Sequence, residues 1–290
     1  MPNANASPLV EADWLIAHRA SVVVLDCSVA RIPGPDGRTD FGPGGDAFAR
    51  GHIPGARFAD VMQAFSDASA RYPFTCPTRA GFDHAAQALG LNADSDIVAY
   101  DTLGGPYAAR LWCVFRAFGL TNIRVLNGGL AAWQSAGGAV ETGDAAPVPA
   151  GTLAATQEPN LFVDAAYVAA MIGQGNIPGQ PLLCGLRGAQ YRGEGSTDPR
   201  RGHIPTSLNL PFPDLLDSTG RLTPERVEAA LSALGLSHDI APVLYCGGGI
   251  NAAGLALALS LVGIGDVKIY DDSMNGWRDD LSLPVEHDTP

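Results

Sequence analysis

Val243-Leu-Tyr-Cys-Gly-Gly-Gly-Ile-Asn-Ala-Ala253 is the stretch that decides how this chain is read. The apolar run 241–245 predicts a short buried strand, and residues 251–262 (NAAGLALALSLV) predict a largely apolar helix. Cys246 therefore stands where a strand turns, through Gly247, Gly248 and Gly249, into a helix N-terminus. Successive backbone N–H groups in such a loop can converge on one spot, and the helix dipole adds positive potential there. A thiolate at that spot is stabilised, and the thiolate is the reactive form of cysteine. The competing reading is a buried structural thiol, since free cysteine is among the most buried residue types. That reading suits Cys113, within Arg110-Leu-Trp-Cys-Val-Phe-Arg-Ala-Phe118. It is weaker at Cys246, because three successive glycines are costly to order and imply a backbone that approaches something closely.

Working outward, the stretch has a counterpart. Val243-Leu-Tyr-Cys246 repeats Val98-Ala-Tyr-Asp101, and Leu234-Gly-Leu236 repeats Leu89-Gly-Leu91, both 145 residues apart. Gly202-His-Ile-Pro205 repeats Gly51-His-Ile-Pro54 at an offset of 151, and an apolar strand followed by Trp277 repeats one followed by Trp133. Matches in one order at nearly one offset predict a tandem of two α/β domains, 1–140 and 160–290, joined by a Pro/Gly-rich stretch at 136–159. Strands are expected at 22–26, 97–100, 123–126, 182–184 and 267–270. Helices are expected at 7–18, at 78–89 before Gly90, at 106–118, and at 223–234 with Thr223 as cap and Pro224 in its first turn. Residues 30–50, rich in glycine, proline and charge, read as a long loop. Alternating strands and helices imply a mostly parallel sheet, whose ligands gather at the carboxyl ends of strands. Cys246 lies at one such end, and Asp101 at the equivalent place in the first domain.

The 290 residues, 46% hydrophobic and 17% charged, suit an ordinary globular protein with a large core. The formal charge of −12, without a basic run, argues against nucleic acid or an anionic membrane as partner. The N-terminus lacks the basic start and apolar core of a signal peptide, and no apolar run reaches the ~20 residues that span a bilayer. Five cysteines without a CxxC pair point to free thiols in a reducing compartment, cytoplasm by default, with neither a disulfide scaffold nor a metal. No cofactor is expected, and a monomer is the expectation for the assembly.

As a set, the two Gly-His-Ile-Pro boxes, the cysteine loop, Tyr191-Arg-Gly-Glu194, Asp198-Pro-Arg-Arg-Gly-His-Ile-Pro205 and Ile269-Tyr-Asp-Asp-Ser-Met-Asn-Gly-Trp277 resemble the two-domain rhodanese family, the thiosulfate and 3-mercaptopyruvate sulfurtransferases. The resemblance covers nearly the whole chain. It implies tandem rhodanese-like domains, the first inactive and the second catalytic. In the second, Cys246 would take a sulfane sulfur from a small-molecule donor as a persulfide. It would pass that sulfur to a thiol, to cyanide or to a thioredoxin-like acceptor. Such chemistry needs a nucleophilic thiolate, donors around the sulfur, and a cation for the donor's anionic end. The amides of Gly247, Gly248, Gly249, Ile250, Asn251 and Ala252 fit the second role. Arg187, Arg192, Arg200 and Arg201 are candidates for the third; Arg192 and Arg200, which flank the segment matching the family's substrate-binding stretch, are favoured, with Arg187 and Asp60 also as candidate supporting groups. Thiosulfate-type members carry Arg or Lys directly after the cysteine; here stand Gly247 and Gly248, closer to the mercaptopyruvate-type Cys-Gly-Ser-Gly-Val-Thr-Ala. The family usually has aspartate where Cys184 stands, and arginine where Gln190 stands.

The alternative of another class is a low-turnover persulfide carrier with a degenerate donor site. A cysteine phosphatase is set aside, because it needs an arginine at the end of the loop to grip phosphate and Ile250-Asn251-Ala252 supplies none. His52 and His203 read as structural hydrogen-bonding residues, Asp101 as a capping or turn residue, Trp133 and Trp277 as core, Asp60 as a turn residue before a functional one, and Cys184 as buried, or as a resolving thiol if it lies near the site.

Overall fold

A computed structural model describes residues 7–33, 39–175, 177–195 and 198–287. The chain divides into two compact units, Met1–Pro159 with Thr219–Arg221, and Asn160–Ser218 with Leu222–Pro290. The first unit runs β1 (Leu9–Val10), α1 (Ala12–His18), β2 (Val23–Asp26), β3 (Val29–Pro33), β4 (Thr39–Pro43), α2 (Gly45–Arg50), β5 (Arg57–Phe58), α3 (Arg79–Ala88), β6 (Ile97–Tyr100), α4 (Pro106–Ala117), β7 (Ile123–Leu126) and α5 (Gly129–Ser135). The second runs β8 (Phe162–Val163), α6 (Ala165–Gly173), β9 (Leu182–Cys184), α7 (Gly188–Tyr191), β10 (Leu208–Asn209), α8 (Pro224–Ala233), β11 (Val243–Tyr245), α9 (Ile250–Leu261), β12 (Lys268–Tyr270) and α10 (Ser273–Asp279).

Each unit builds a five-stranded parallel sheet, in the orders β1-β7-β6-β2-β5 and β8-β12-β11-β9-β10. The permutation is the same, so the duplication seen in the sequence is a duplication of topology. The central strands β6 and β11 are buried along their whole length, as expected for parallel strands covered on both faces. Behind the second sheet's central strand, α9 buries Ala252 through Leu259. Its small residues permit close approach: a Cβ on Gly254 would lie 2.6 Å from the Phe212 ring.

The repeated boxes recur as the same hydrogen-bonded device. His52 stacks on Phe48 at 3.8 Å and places Nδ1 2.9 Å from the Phe48 carbonyl; His203 stacks on Tyr191 at 3.7 Å with Nδ1 2.8 Å from its carbonyl. The N–H groups of Ile53 and Ile204 donate to the hydroxyls of Tyr100 and Tyr245, each at 3.0 Å. The indole N–H groups of the buried Trp133 and Trp277 donate at 2.7 Å to the carbonyls of Ala139 and Pro284. The structural reading of both histidines and both tryptophans therefore stands.

The stretch 30–50, expected to be a loop, holds regular structure at its described residues: β3 pairs antiparallel with β4, and the short helix α2 follows; positions 34–38 lie outside the described residues. Gly44 is required there, because a Cβ would fall 1.9 Å from the Ser28 carbonyl oxygen. The expected helix at 7–18 begins only at Ala12; Leu9 and Val10 pair with Val125 and Leu126, a contact too short to show as periodicity. Thr78 caps α3 by accepting from the Gly81 N–H at 3.2 Å, whereas the Thr223 side chain makes no capping hydrogen bond at α8. Among the described residues no helix is long and apolar enough to cross a membrane.

Candidate active site

Cys246 follows the last residue of β11, and α9 begins four residues later, with Gly249 as its N-cap in the left-handed region at φ 82°. A positive φ at a cap is where glycine's freedom is needed. The six consecutive N–H groups from Gly247 to Ala252 donate to no acceptor among the described residues. They flank a thiol that is 3% exposed. The first helical turn and the glycine loop thus present a row of unused donors beside one nearly buried sulfur, at the positive end of a 12-residue helix.

The loop is held from outside by the start of α10. The Cys246 N–H donates to Ser273 Oγ at 3.1 Å, the Met274 N–H donates to the Cys246 carbonyl at 3.0 Å, and the Asn275 N–H donates to the Gly247 carbonyl at 2.9 Å. Ser273 adopts φ 51°, an uncommon conformation for a residue with a Cβ. Such strain costs on the order of 1–3 kcal/mol and persists only where surroundings over-determine it. Here the Ser273 hydroxyl does so, donating to the Tyr270 carbonyl at 2.9 Å while accepting from Cys246. Neither Ser273 nor Asn275 was singled out from the sequence, although both lie in the quoted Ile269–Trp277 string. The signal was a motif whose members had no assigned roles.

In the first unit the equivalent loop is filled by its own side chain. Asp101 is fully buried and accepts from Leu103 and Gly105 through Oδ1 at 2.7 and 2.9 Å, and from Tyr107 and Ala108 through Oδ2 at 2.9 and 3.0 Å. Burial pushes this carboxyl above its ordinary value, and the four amides pull it back. One unit therefore shows what its loop holds, a carboxyl group gripped by four backbone N–H groups.

The arginines divide. Arg192 forms a two-point pair with Glu194, Nε to Oε1 at 2.6 Å and Nη2 to Oε2 at 3.2 Å, which holds the Glu194 carboxyl below its usual value. Arg200 turns Nη2 onto the carbonyls of Trp277, Asp280 and Leu283 at 3.3, 2.9 and 2.8 Å, fastening the segment after α10. Arg187, at the N-cap of α7, is exposed, and its guanidinium makes no hydrogen bond or ion pair among the described residues. The Asn251 side chain donates to the Gly185 carbonyl at 3.3 Å, so only its backbone N–H faces outward from the chain's own bonding. Asp60 lies in the first unit, where Oδ1 accepts from Met62 and Gln63 at 2.9 and 3.0 Å, the pattern of a turn residue. Cys184 pairs in register with Tyr245 and packs in the core with Val168, Ile204 and Trp277. Burial pushes its thiol up to about 12, which suits a neutral core group and not a resolving nucleophile. All five cysteines are free.

With this geometry in hand, comparison with known proteins is specific. The model of the rhodanese-like domain matches twice, over residues 12–136 and 165–280. The chain is 32% identical over 283 residues to 3-mercaptopyruvate sulfurtransferase of Escherichia coli, covering 96% of this chain and 97% of that protein. It is 33% identical over 236 residues to thiosulfate sulfurtransferase of Bos taurus, covering 78% and 77%. The crystal structure of SseA from Escherichia coli matches with a TM-score of 0.79 at 30% identity, covering 92% of this chain and 99% of that one.

Proposed function

The chain belongs to the family of rhodanese-like domain proteins and is a sulfurtransferase, and from that premise we propose that its second unit moves a sulfane sulfur through a persulfide on Cys246, with 3-mercaptopyruvate as the preferred donor. The first unit, with Asp101 in its loop, is the inactive partner. The observation that carries the proposal is the run of unused N–H groups from Gly247 to Ala252 beside a single buried thiol.

The Cys246 thiolate attacks the sulfur of the donor thiol. The carbon–sulfur bond breaks, its electron pair goes to carbon, and the thiol proton ends on that carbon, so that pyruvate leaves and Cys246 carries a persulfide anion. The amides need not move to receive that charge, which is the condition under which fixed dipoles lower a barrier most. An attacking thiol or cyanide then takes the outer sulfur and returns the thiolate. Each charge-assisted hydrogen bond to the anion contributes about 1.5–3 kcal/mol. Arg187, whose guanidinium makes no hydrogen bond or ion pair among the described residues, is assigned to the donor's carboxylate, because Arg192 and Arg200 already serve a carboxylate and three carbonyls. Thiosulfate, a dianion, is the poorer donor because no cation follows Cys246 in the loop.

Mass analysis of intact protein after exposure to each donor tests this. One added sulfur on Cys246 from 3-mercaptopyruvate, less from thiosulfate, and catalytic release of sulfide or thiocyanate to an acceptor is the expected result. A single stoichiometric persulfide without turnover would favour a carrier, a reading that the engaged Arg192 and Arg200 keep in play. No sulfur on Cys246 from either donor would remove both.

A further inference from the structure

Three consecutive residues at the start of α10 grip the cysteine loop, but they do so differently. Ser273 uses its hydroxyl and Met274 its backbone N–H, both on Cys246. Asn275 uses its backbone N–H on Gly247 and leaves its side chain free to turn over the loop. That side chain lies against Gly248: a Cβ at Gly248 would come within 2.9 Å of Asn275 Nδ2. Asn275 is exposed, and its side-chain amide has no hydrogen-bond partner among the described residues. The missing side chain at Gly248 is thus matched by a neighbour that occupies the vacated space with two N–H donors.

The placement suits one kind of ligand atom. Gly248 is two residues from Cys246, so its Cα stands at most ~7.6 Å from that of the cysteine. A donor whose sulfur meets Cys246 carries its oxyanion oxygens two bonds further on in thiosulfate and four in 3-mercaptopyruvate. We propose that Asn275 is a specificity-determining residue for sulfur donors, its Nδ2 donating to the carboxylate or sulfonyl oxygens at the non-transferred end while the backbone cradle holds the transferred sulfur. This deepens the persulfide reading above and rests on it. Gly248 belongs to the same device: any Cβ there displaces the amide.

Steady-state kinetics of the full chain with 3-mercaptopyruvate and with cyanide as acceptor test the assignment. Asn275→Ala should raise the donor KM roughly tenfold, the loss of one hydrogen bond to a charged group, and leave kcat within about twofold and the cyanide KM unchanged. Asn275→Asp, the same shape with like charge facing the donor, should raise the donor KM further than Asn275→Ala, with part of the excess recovered at high salt. Gly248→Ala should reproduce the Asn275→Ala effect, and the double variant should be no worse than Gly248→Ala alone, because one change has already removed what the other would remove. A purely structural Asn275 would lower Tm and change kcat without separating the donor KM from the cyanide KM, and would overturn the proposal. Donor KM values of Asn275→Ala and Asn275→Asp within twofold of the unaltered protein would overturn it alone. An unaltered protein that never loads sulfur on Cys246 would overturn it together with the reading it rests on.

Discussion

The loop after β6 and the loop after β11 are built on the same strand, enter the same kind of helix, and are closed by the same backbone contact. The Leu130 N–H meets the Asp101 carbonyl at 3.1 Å as the Met274 N–H meets that of Cys246 at 3.0 Å. They differ in what occupies the middle. In the first unit, Asp101 turns its own carboxylate back onto four N–H groups, and the loop is satisfied. In the second, a thiol replaces the carboxylate and the N–H groups from Gly247 to Ala252 stay unused. The same cradle is therefore filled by a side chain in one copy and, among the described residues, left with unused donors in the other. A second contrast follows. Where the first unit has Gly129 at φ 59°, the second has Ser273 at φ 51°. Glycine takes that conformation freely; serine is strained in it and supplies the hydroxyl that receives the Cys246 N–H. At this pair of positions the strained residue stands beside the cysteine, and the relaxed one beside Asp101.

The largest effect should come from removing the difference at its centre. Cys246→Ser leaves the loop its shape but offers a far weaker nucleophile, and sulfur transfer should fall by on the order of a thousandfold or more, with Tm nearly unchanged. Turnover within tenfold of the unaltered protein would show that the thiol is not the carrier. The converse change, Asp101→Ala, should leave kcat per folded molecule intact and cost stability. It strips four backbone donors of their acceptor, at roughly 1–3 kcal/mol for each buried group, less what entering water recovers. A net loss of about 3 kcal/mol in denaturant unfolding is expected. A loss under about 0.5 kcal/mol would mean that water satisfies the loop as well as the carboxylate does, and the two loops would then be less different than they look.

Ser273→Gly separates strain from hydrogen bonding. It should relieve the left-handed backbone and give up the hydroxyl that fixes Cys246. Stability should then change by less than about 1 kcal/mol, the two effects opposing, while kcat falls several-fold because the loop is less tightly placed. Ser273→Ala, which keeps the strain and loses the bond, should be the less stable of the two. If it is the more stable, the strain argument fails.

Much of this was legible in the chain itself, and for a physical reason. Parallel strands buried on both faces read as apolar runs, and a duplicated fold writes its turn and contact residues twice, as in the two Gly-His-Ile-Pro boxes. The cysteine and its amides were visible because strand, glycines and helix are contiguous. What stayed hidden depends on residues far apart in sequence. Ser273 meets Cys246 across 27 positions, β1 exists only through its pairing with β7, and the β3–β4 pairing is concealed by a composition that reads as loop. The arginines show the limit of position along the chain as a guide. Arg192 and Arg200 flank the matching segment, yet their guanidinium groups are engaged with Glu194 and with the carbonyls after α10, while Arg187, the less favoured candidate, makes no hydrogen bond or ion pair among the described residues.

The smallest effect expected is a pH dependence that separates the units at a place away from either loop. Asp26 ends β2 in register with Tyr100, and Cys184 ends β9 in register with Tyr245. Burial raises the Asp26 carboxyl above its ordinary 3.8, and its Oδ2 has no hydrogen-bond partner among the described residues. A group whose value is raised on folding stabilises the folded state while protonated; that contribution is complete below the unfolded value and is lost as pH rises through the folded one. Asp26→Asn cannot ionise, so its Tm relative to the unaltered protein should climb as pH rises above about 4 and then level off. The Cys184 thiol, pushed up to about 12 from 9.0, stays neutral throughout that range. Cys184→Ser should therefore shift Tm by an amount that does not vary with pH below about 8. Thermal unfolding of both variants across that range decides the matter: a flat difference for Asp26→Asn would mean that the Asp26 carboxyl takes up no extra proton on folding, and that the two strand ends are electrostatically alike.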